Sequence, residues 1–312
     1  MKQTSFRSCA SRRDFLKLYA TVTAFTVLPP LALKAAENVA GASGPKRSIK
    51  KAIMWGAQGV KGSVLEKMQA FKEAGFEGVE PMSHMAQDDV MQALEATGLK
   101  AASVCCSTHW NQTLSDPNPG TRERGLEGLK QSLRDAKRYG AGSVLLVPGT
   151  VNKQVTYEEC WARSIEQIRK ATPLAEELGV AISIENVWND FITKEDEALR
   201  YLEAINSPMV KWHFDIGNII WYGDPIVWIK KLGKRIARLH IKEYSRDLAM
   251  KKGRGAGFSA KFLEGANNWP GIMKALDEIG YDGVWGIAEQ GRPETLEDLK
   301  DLSTRMDKIF SS

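Results

Sequence analysis

Trp212-His213-Phe214-Asp215-Ile216-Gly217-Asn218 is a short apolar run that ends on a carboxylate. The pattern recurs on both sides of it. Ile182-Ser183-Ile184-Glu185-Asn186 precedes it, and Arg238-Leu239-His240-Ile241-Lys242-Glu243 and Gly286-Ile287-Ala288-Glu289-Gln290 follow. Each run is separated from the next by a helical stretch, which predicts βαβ units and a parallel sheet. In a closed parallel barrel the C-terminal ends of all strands meet at one mouth. Glu185, Asp215, His240 and Glu289 would then share one cleft. A carboxylate at the end of an apolar strand is costly to bury unpaired, and a shared cation removes that cost. Three oxygen ligands and one imidazole suit a hard divalent metal ion.

Working outward, strands are expected at 51–58, 77–82, 100–106, 143–148, 180–186, 210–216, 236–242 and 283–289. Helices are expected at 63–74, 87–97, 122–139, 157–178, 194–205, 225–232, 269–279 and 294–309. Ala74-Gly75-Phe76, Thr97-Gly98-Leu99, Tyr139-Gly140-Ala141, Leu178-Gly179-Val180 and Ile279-Gly280-Tyr281 mark helix stops. Eight such units predict an α/β fold, a single-domain (β/α)8 TIM barrel over residues 51–312. A doubly wound open sheet would need a Gly-rich phosphate turn after the first strand. Gly56-Ala57-Gln58-Gly59 with Lys61-Gly62 does not match one.

The N-terminus reads differently. Ser11-Arg12-Arg13-Asp14-Phe15-Leu16-Lys17 precedes a moderately apolar run from Leu18 to Leu33, and Ala40-Gly41-Ala42 offers a cleavage site. Residues 1–42 are therefore expected to be a twin-arginine signal peptide, handled by the export machinery and placing the mature chain in the periplasm. Residues 43–50 read as a flexible lead-in. The signal holds six Lys or Arg against two acids, which accounts for +4 of the whole chain's net +5. The remainder is nearly neutral, which removes the compositional argument for a nucleic-acid partner. Cys9 leaves with the signal. Cys105, Cys106 and Cys160 have no metal-type spacing and read as core or near-site thiols.

Side chains alternate along a strand, so His213 shares a face with Asp215 and Lys242 with His240. Both are expected one layer below the ligands. His109 and Trp110 follow the third strand, where an imidazole and an aromatic ring suit a sugar. Glu80 ends the second strand and is placed to support the ligands. Lys251, Lys252 and Arg254 read as part of a solvated lid.

On Ile184-Glu185-Asn186, Phe214-Asp215-Ile216-Gly217-Asn218, Leu239-His240-Ile241-Lys242, Asn268-Trp269-Pro270-Gly271-Ile272 and Gly280-Tyr281-Asp282-Gly283-Val284, the chain from about residue 50 resembles the sugar isomerase/epimerase superfamily with the xylose isomerase-like barrel. The resemblance implies one divalent ion (Mn, Mg or Co, with Zn as a further candidate) bound by Glu185, Asp215, His240 and Glu289. It implies that Glu185 and Glu289 double as the acid/base pair, and that Arg246, six residues after His240, binds substrate. The ketose-epimerase branch has His where this chain has Asn218, and a second Glu where it has Phe191. Asn218 is then a candidate for a substrate hydroxyl, with His109, Trp110, His213 and Lys242 the other candidates.

The expected activity is isomerisation or epimerisation of an unphosphorylated sugar, keto-sugar or glycoside through an enediolate. A keto-glycoside lyase or hydrolase would use the same site. An endonuclease IV-like phosphodiesterase would need further His ligands. The partner is a small carbohydrate, and association into a homo-oligomer is left open.

Overall fold

The computed structural model describes residues 47–312. The expected signal peptide, with Arg12, Arg13 and Cys9, lies outside the described residues, as does the start of the expected lead-in. Among the described residues, nine strands form one parallel sheet: β1 Lys50–Met54, β2 Gly78–Glu80, β3 Lys100–Ala101, β4 Val104–Cys105, β5 Ser143–Leu146, β6 Ala181–Glu185, β7 Val210–Asp215, β8 Ile236–Ile241 and β9 Trp285–Ala288. Their order is β3-β2-β1-β9-β8-β7-β6-β5-β4. β3 and β4 are two halves of one stave. β3 pairs with β2, β4 pairs with β5, and Met82 bridges Cys105 to bring the sheet nearly closed. The third expected strand is therefore split. Pro81 has no N–H to donate at this point, and the Met82–Cys105 bridge is one residue out of register with the Gly78–Lys100 pair.

The helices are α1 Val64–Glu73, α2 Gln87–Thr97, α3 Pro119–Tyr139, α4 Tyr157–Leu178, α5 Glu195–Ile205, α6 Ile216–Ile220, α7 Pro225–Leu232, α8 Arg246–Lys252, α9 Trp269–Glu278 and α10 Leu296–Phe310. α6 and α8 lie where the periodicity predicts no helix. Trp55–Ala57, expected to prolong the first strand, is instead a 3-10 turn. Reciprocal caps start several helices: Ser63 with Glu66 for α1, Thr156 with Glu159 for α4, and Thr295 with Asp298 for α10. Gly140 and Gly179 end α3 and α4 with φ of 73° and 66°, a left-handed conformation that glycine adopts without a Cβ penalty.

The helices bury one face each against the outside of the sheet. Phe71, Leu133, Ile168, Tyr201, Trp228, Leu276 and Met306 are all buried there. Each such side chain contributes about 1.5–3 kcal/mol relative to an exposed one. Met54 lines the mouth, so alternation turns Ala52 inward as well. Ala52 clusters with Ala102 and Ile287 below the mouth. Arg47 and Ser48, expected in the flexible lead-in, belong to the fold. The Arg47 guanidinium bonds Asp277 (2.7 and 2.8 Å) and the carbonyls of Phe310 and Ser312 (2.8 and 2.7 Å). Ser48 bonds Asp282, and Lys50 already opens β1.

Candidate active site

Glu185 closes β6, Asp215 closes β7, His240 lies one residue before the end of β8, and Glu289 directly follows β9. The β7–β8 register sets Asp215 opposite His240. The β8–β9 register sets His240 opposite Ile287, so Glu289 stands two residues nearer the rim. One ligand atom from each of the four lies within 4.8 Å of the others. His240 Nδ1 is 2.9 Å from Glu185 Oε1, 2.9 Å from Glu289 Oε2 and 4.0 Å from Asp215 Oδ2.

This arrangement asks for a cation. One ring N–H cannot serve two carboxylates. Glu185 takes the hydrogen bond, and Glu289 Oε2 is left buried without a donor. Four carboxylates, those of Glu80, Glu185, Asp215 and Glu289, crowd His240 and a single ammonium, Lys242. Buried carboxylates in such an excess are stable only when further positive charge joins them. Three carboxylates and an imidazole fit a divalent ion.

The titration of these groups reflects that crowding. Burial pushes Asp215 up to about 8, with Glu289 and Glu185 adding to the push and Lys242 opposing it. Burial also raises Glu185, against the pull of His240. Burial would raise Glu289 too, but Lys242 and His240 outweigh it and hold this carboxyl well below its ordinary range. For His240, burial works against the charged ring, and Glu80, Glu185 and Glu289 overcome it and raise the imidazole.

These four residues are held from behind. His240 Nε2 is 2.9 Å from Glu80 Oε2, so Glu80 orients the ring and leaves Nδ1 facing the other ligands. Asn186 clamps Asp215. Its Oδ1 accepts from the Asp215 N–H (3.1 Å) and the Trp212 indole (3.0 Å), and its Nδ2 donates to the Asp215 carbonyl (2.7 Å). Asp215 Oδ1 accepts from the Asn218 N–H at 2.8 Å, which caps α6. That leaves Oδ2 beside Lys242 Nζ at 3.3 Å. The close approach depends on Gly217, because a Cβ there would sit 2.8 Å from both Lys242 Cβ and its carbonyl oxygen.

A cavity of about 250 Å³ opens above this cluster. Met54, Cys105, His109, Trp110, Leu145, Glu185, Val187, Trp188, Asn218, Lys242, Phe258 and Glu289 line it. Among the expected substrate contacts, His109, Trp110, Asn218 and Lys242 are therefore at the cavity. Lys242 was expected one layer below the ligands. It lies on the mouth side instead, because it is two residues closer than His240 to the C-terminal rim. Its Nζ donates to Glu289 Oε1 at 2.9 Å. His213 is two residues before Asp215 and lies deeper, fully buried, with its ring edge-on to His240 at 4.2 Å. Neither of its ring nitrogens has a partner, and burial, reinforced by His240 and Arg238, lowers its pKa. It does not reach the cavity.

Arg246 lines a separate cavity with Ile220, Asp224 and Asn268, and its guanidinium is tied to the Ile220 carbonyl (2.7 and 3.1 Å). Arg254, read as part of a solvated lid, is pinned instead. Its guanidinium lies 3.9 Å from the Trp188 ring centroid, and it donates to the Tyr222 hydroxyl. Asn186 and Phe258 were not singled out as site residues by sequence reasoning. The only trace of Asn186 is its place next to Glu185; Phe258 sits in a short 3-10 helix, Arg254–Ser259, too short to carry a periodic signal. Cys105, Cys106 and Cys160 are free buried thiols, and Cys105 lines the cavity.

His109 is buried, and its Nδ1 accepts the Val147 N–H at 3.2 Å, so the neutral ring keeps its proton on Nε2. Burial lowers it from 6.5 to about 4. Between those values the unfolded chain takes up a proton that the folded chain refuses. Stability present above pH 6.5 is therefore lost as pH falls toward 4, by about 3 kcal/mol. Urea unfolding of the parent and of His109→Gln at pH 7 and pH 4 checks this. The parent should lose about 3 kcal/mol more than the variant, and parallel losses would rule out the buried neutral imidazole.

The model of the xylose isomerase-like TIM barrel matches residues 68–307. L-ribulose-5-phosphate 3-epimerase UlaE of Escherichia coli is 24% identical over 249 residues, covering 75% of this chain and 84% of that protein. Among solved structures, the E. coli 3-keto-D-glucoside 4-epimerase YcjR superposes with a TM-score of 0.71 at 15% identity, over 85% of this chain and 100% of that one. D-psicose 3-epimerase of Clostridium cellulolyticum, solved with D-tagatose, gives 0.69 at 17% identity over 85% and 100%. The IolI protein, solved with a bound zinc atom, gives 0.70 at 17% identity over 84% and 98%. With a family match that runs from α1 into α10 and a sheet of the same architecture, the chain belongs to the xylose isomerase-like TIM barrel family.

Proposed function

We propose that this protein is a divalent-metal-dependent epimerase of an unphosphorylated sugar carrying a carbonyl group. The observation that carries the reading is the meeting of Glu185, Asp215, His240 and Glu289 beneath a cavity the size of one sugar ring. A divalent ion held by these four would supply positive charge beside the oxygen on which enediolate charge collects.

The chain's own residues move the proton. Glu185 and Glu289 both border the cavity, and β7 and β8 separate their strands. One carboxylate takes the proton α to the carbonyl, and the electron pair of the broken C–H bond passes into the enediolate. The other returns a proton to the opposite face, which inverts the carbon. Lys242 holds Glu289 in place through its 2.9 Å hydrogen bond. Asn218 is fixed by its Nδ2 donating to the Asn186 carbonyl (3.0 Å) and presents its side chain to a substrate hydroxyl. Among the described residues Lys242 is the only Lys or Arg lining the cavity, and it is committed to Glu289 and Asp215. Among the described residues no other Lys or Arg lines the cavity to meet a phosphate, which favours an uncharged sugar over the phosphorylated substrate named for UlaE.

The test is a screen of keto-sugars in D₂O with the protein loaded with Mn²⁺, Mg²⁺, Co²⁺ or Zn²⁺ in turn. The expected result is one bound ion per chain and an epimer carrying one solvent deuterium at the inverted carbon. Failure of every metal-loaded form to exchange any α-proton would reject the reading.

A further inference from the structure

A second cavity of about 360 Å³ adjoins the first. Loop residues 110–117 and 150–155 build it, and Trp110 is a wall of both cavities. Trp110 is 50% exposed and stands edge-on to His109, with ring centroids 5.5 Å apart. An exposed indole between two polar hollows is a platform for a flat C–H face.

The lining of the second cavity defines its occupant. It contains no Lys or Arg, so it is not built for a phosphate or another anion. It contains little apolar surface besides Trp110, Pro117 and Val155. Besides the Asp116 carboxylate, whose Oδ1 accepts the Asn118 N–H at 2.8 Å, it offers neutral hydrogen-bonding groups. The side chains of Asn111, Thr113 and Gln154 make no hydrogen bond within the described protein. Asn152 spends its Oδ1 on the N–H groups of Gln154 (2.8 Å) and Val155 (3.2 Å), keeping its Nδ2. Unspent amides and hydroxyls beside an aromatic wall match a neutral polyhydroxylated ring.

Resting on the proposed epimerase reading, we infer that the substrate is a glycoside of at least two sugar rings. The reacting ring sits in the metal cavity and the second ring in the cavity beyond Trp110. The first cavity, about 250 Å³, is smaller than the roughly 300–1,000 Å³ of ordinary small-molecule sites, and the pair together falls within that range.

This substrate constrains the chemistry. A glycosidic bond locks the anomeric carbon as an acetal, so that carbon cannot be the carbonyl. The carbonyl that acidifies the α-proton must be a ketone on another ring carbon. The C–H bond beside it breaks, its proton goes to one carboxylate, and its electron pair enters the enediolate. A new C–H bond then forms with a proton from the other carboxylate, with no net oxidation. The ring ketone itself must come from a preceding reaction that oxidises a secondary hydroxyl of an intact glycoside.

The experiment compares 3-keto-disaccharides made from trehalose, sucrose and lactose with the methyl 3-keto-α- and β-glucosides. The metal-loaded protein is assayed by deuterium exchange (kcat/KM) and, separately, by calorimetric binding. At least one disaccharide should exceed its methyl glycoside about tenfold in both readouts, the scale of one or two net hydrogen bonds. In Thr113→Ala/Gln154→Ala that ratio should fall toward one. Equal values for the parent, or a ratio that survives the double variant, would overturn the second-ring site. If nothing exchanges deuterium, the epimerase reading fails. Binding then still decides the site, since a tenfold preference lost in the double variant supports it and no preference overturns it.

Discussion

Glu289→Gln should lower kcat by about 10²–10⁴ at saturating metal, the usual contribution of a positioned general acid or base. Gln keeps the size of the side chain and one ligand oxygen but cannot accept a proton at neutral pH. Glu185→Gln should fall in the same range. The two variants should also differ in kind. If one carboxylate removes the proton and the other returns it, the variant lacking the second still washes solvent deuterium into the substrate without forming epimer. Measuring exchange and epimer separately, with metal content assayed on the same samples, separates lost chemistry from lost metal. Unimpaired turnover by both variants would take the proton transfer away from Glu185 and Glu289.

Glu80→Met should weaken metal binding about 10–100-fold, although Glu80 is not itself one of the four ligands. Its carboxylate receives His240 Nε2–H at 2.9 Å and so selects the tautomer that presents Nδ1 to the cluster. Met fills the space without accepting that hydrogen bond, and the imidazole is then free to rotate or to shift its proton to Nδ1. Competition for Mn²⁺ or Zn²⁺ against a chromophoric chelator reads the change directly. An unchanged affinity would mean that packing alone, chiefly the His213 ring, fixes His240.

Much of this site is legible in the sequence. Glu185, Asp215, His240 and Glu289 each interrupt or end an apolar run. Parallel strands carry such positions to one rim whatever the loops do. Helix ends were equally plain where Gly98, Gly140 and Gly179 stop the pattern. Other features depend on packing between segments remote in sequence. The third stave splits because Pro81 on its neighbour cannot donate. α6 and α8 are one to two turns long, too short to show a period. The placement of Lys242 follows from chain direction, since a residue after His240 moves toward the rim. Arg246 and Arg254 look alike in the sequence. Only the structure shows that Arg254 is pinned against Trp188, Tyr222 and Trp221 while Arg246 is tied to the Ile220 carbonyl.

Glu185, Asp215, His240 and Glu289 come from four neighbouring strands, β6 to β9, while the cavity beyond Trp110 is built wholly by the loops after β4 and β5. On the proposed reading, reactivity and taste are thus written on adjoining arcs of one ring. If the second sugar ring binds there as proposed, a randomised library confined to 110–117 and 150–155 should exchange one sugar partner for another and leave Glu185, Asp215, His240 and Glu289 in place. A scaffold divided this way lets a lineage keep an ancient reaction while it changes diet.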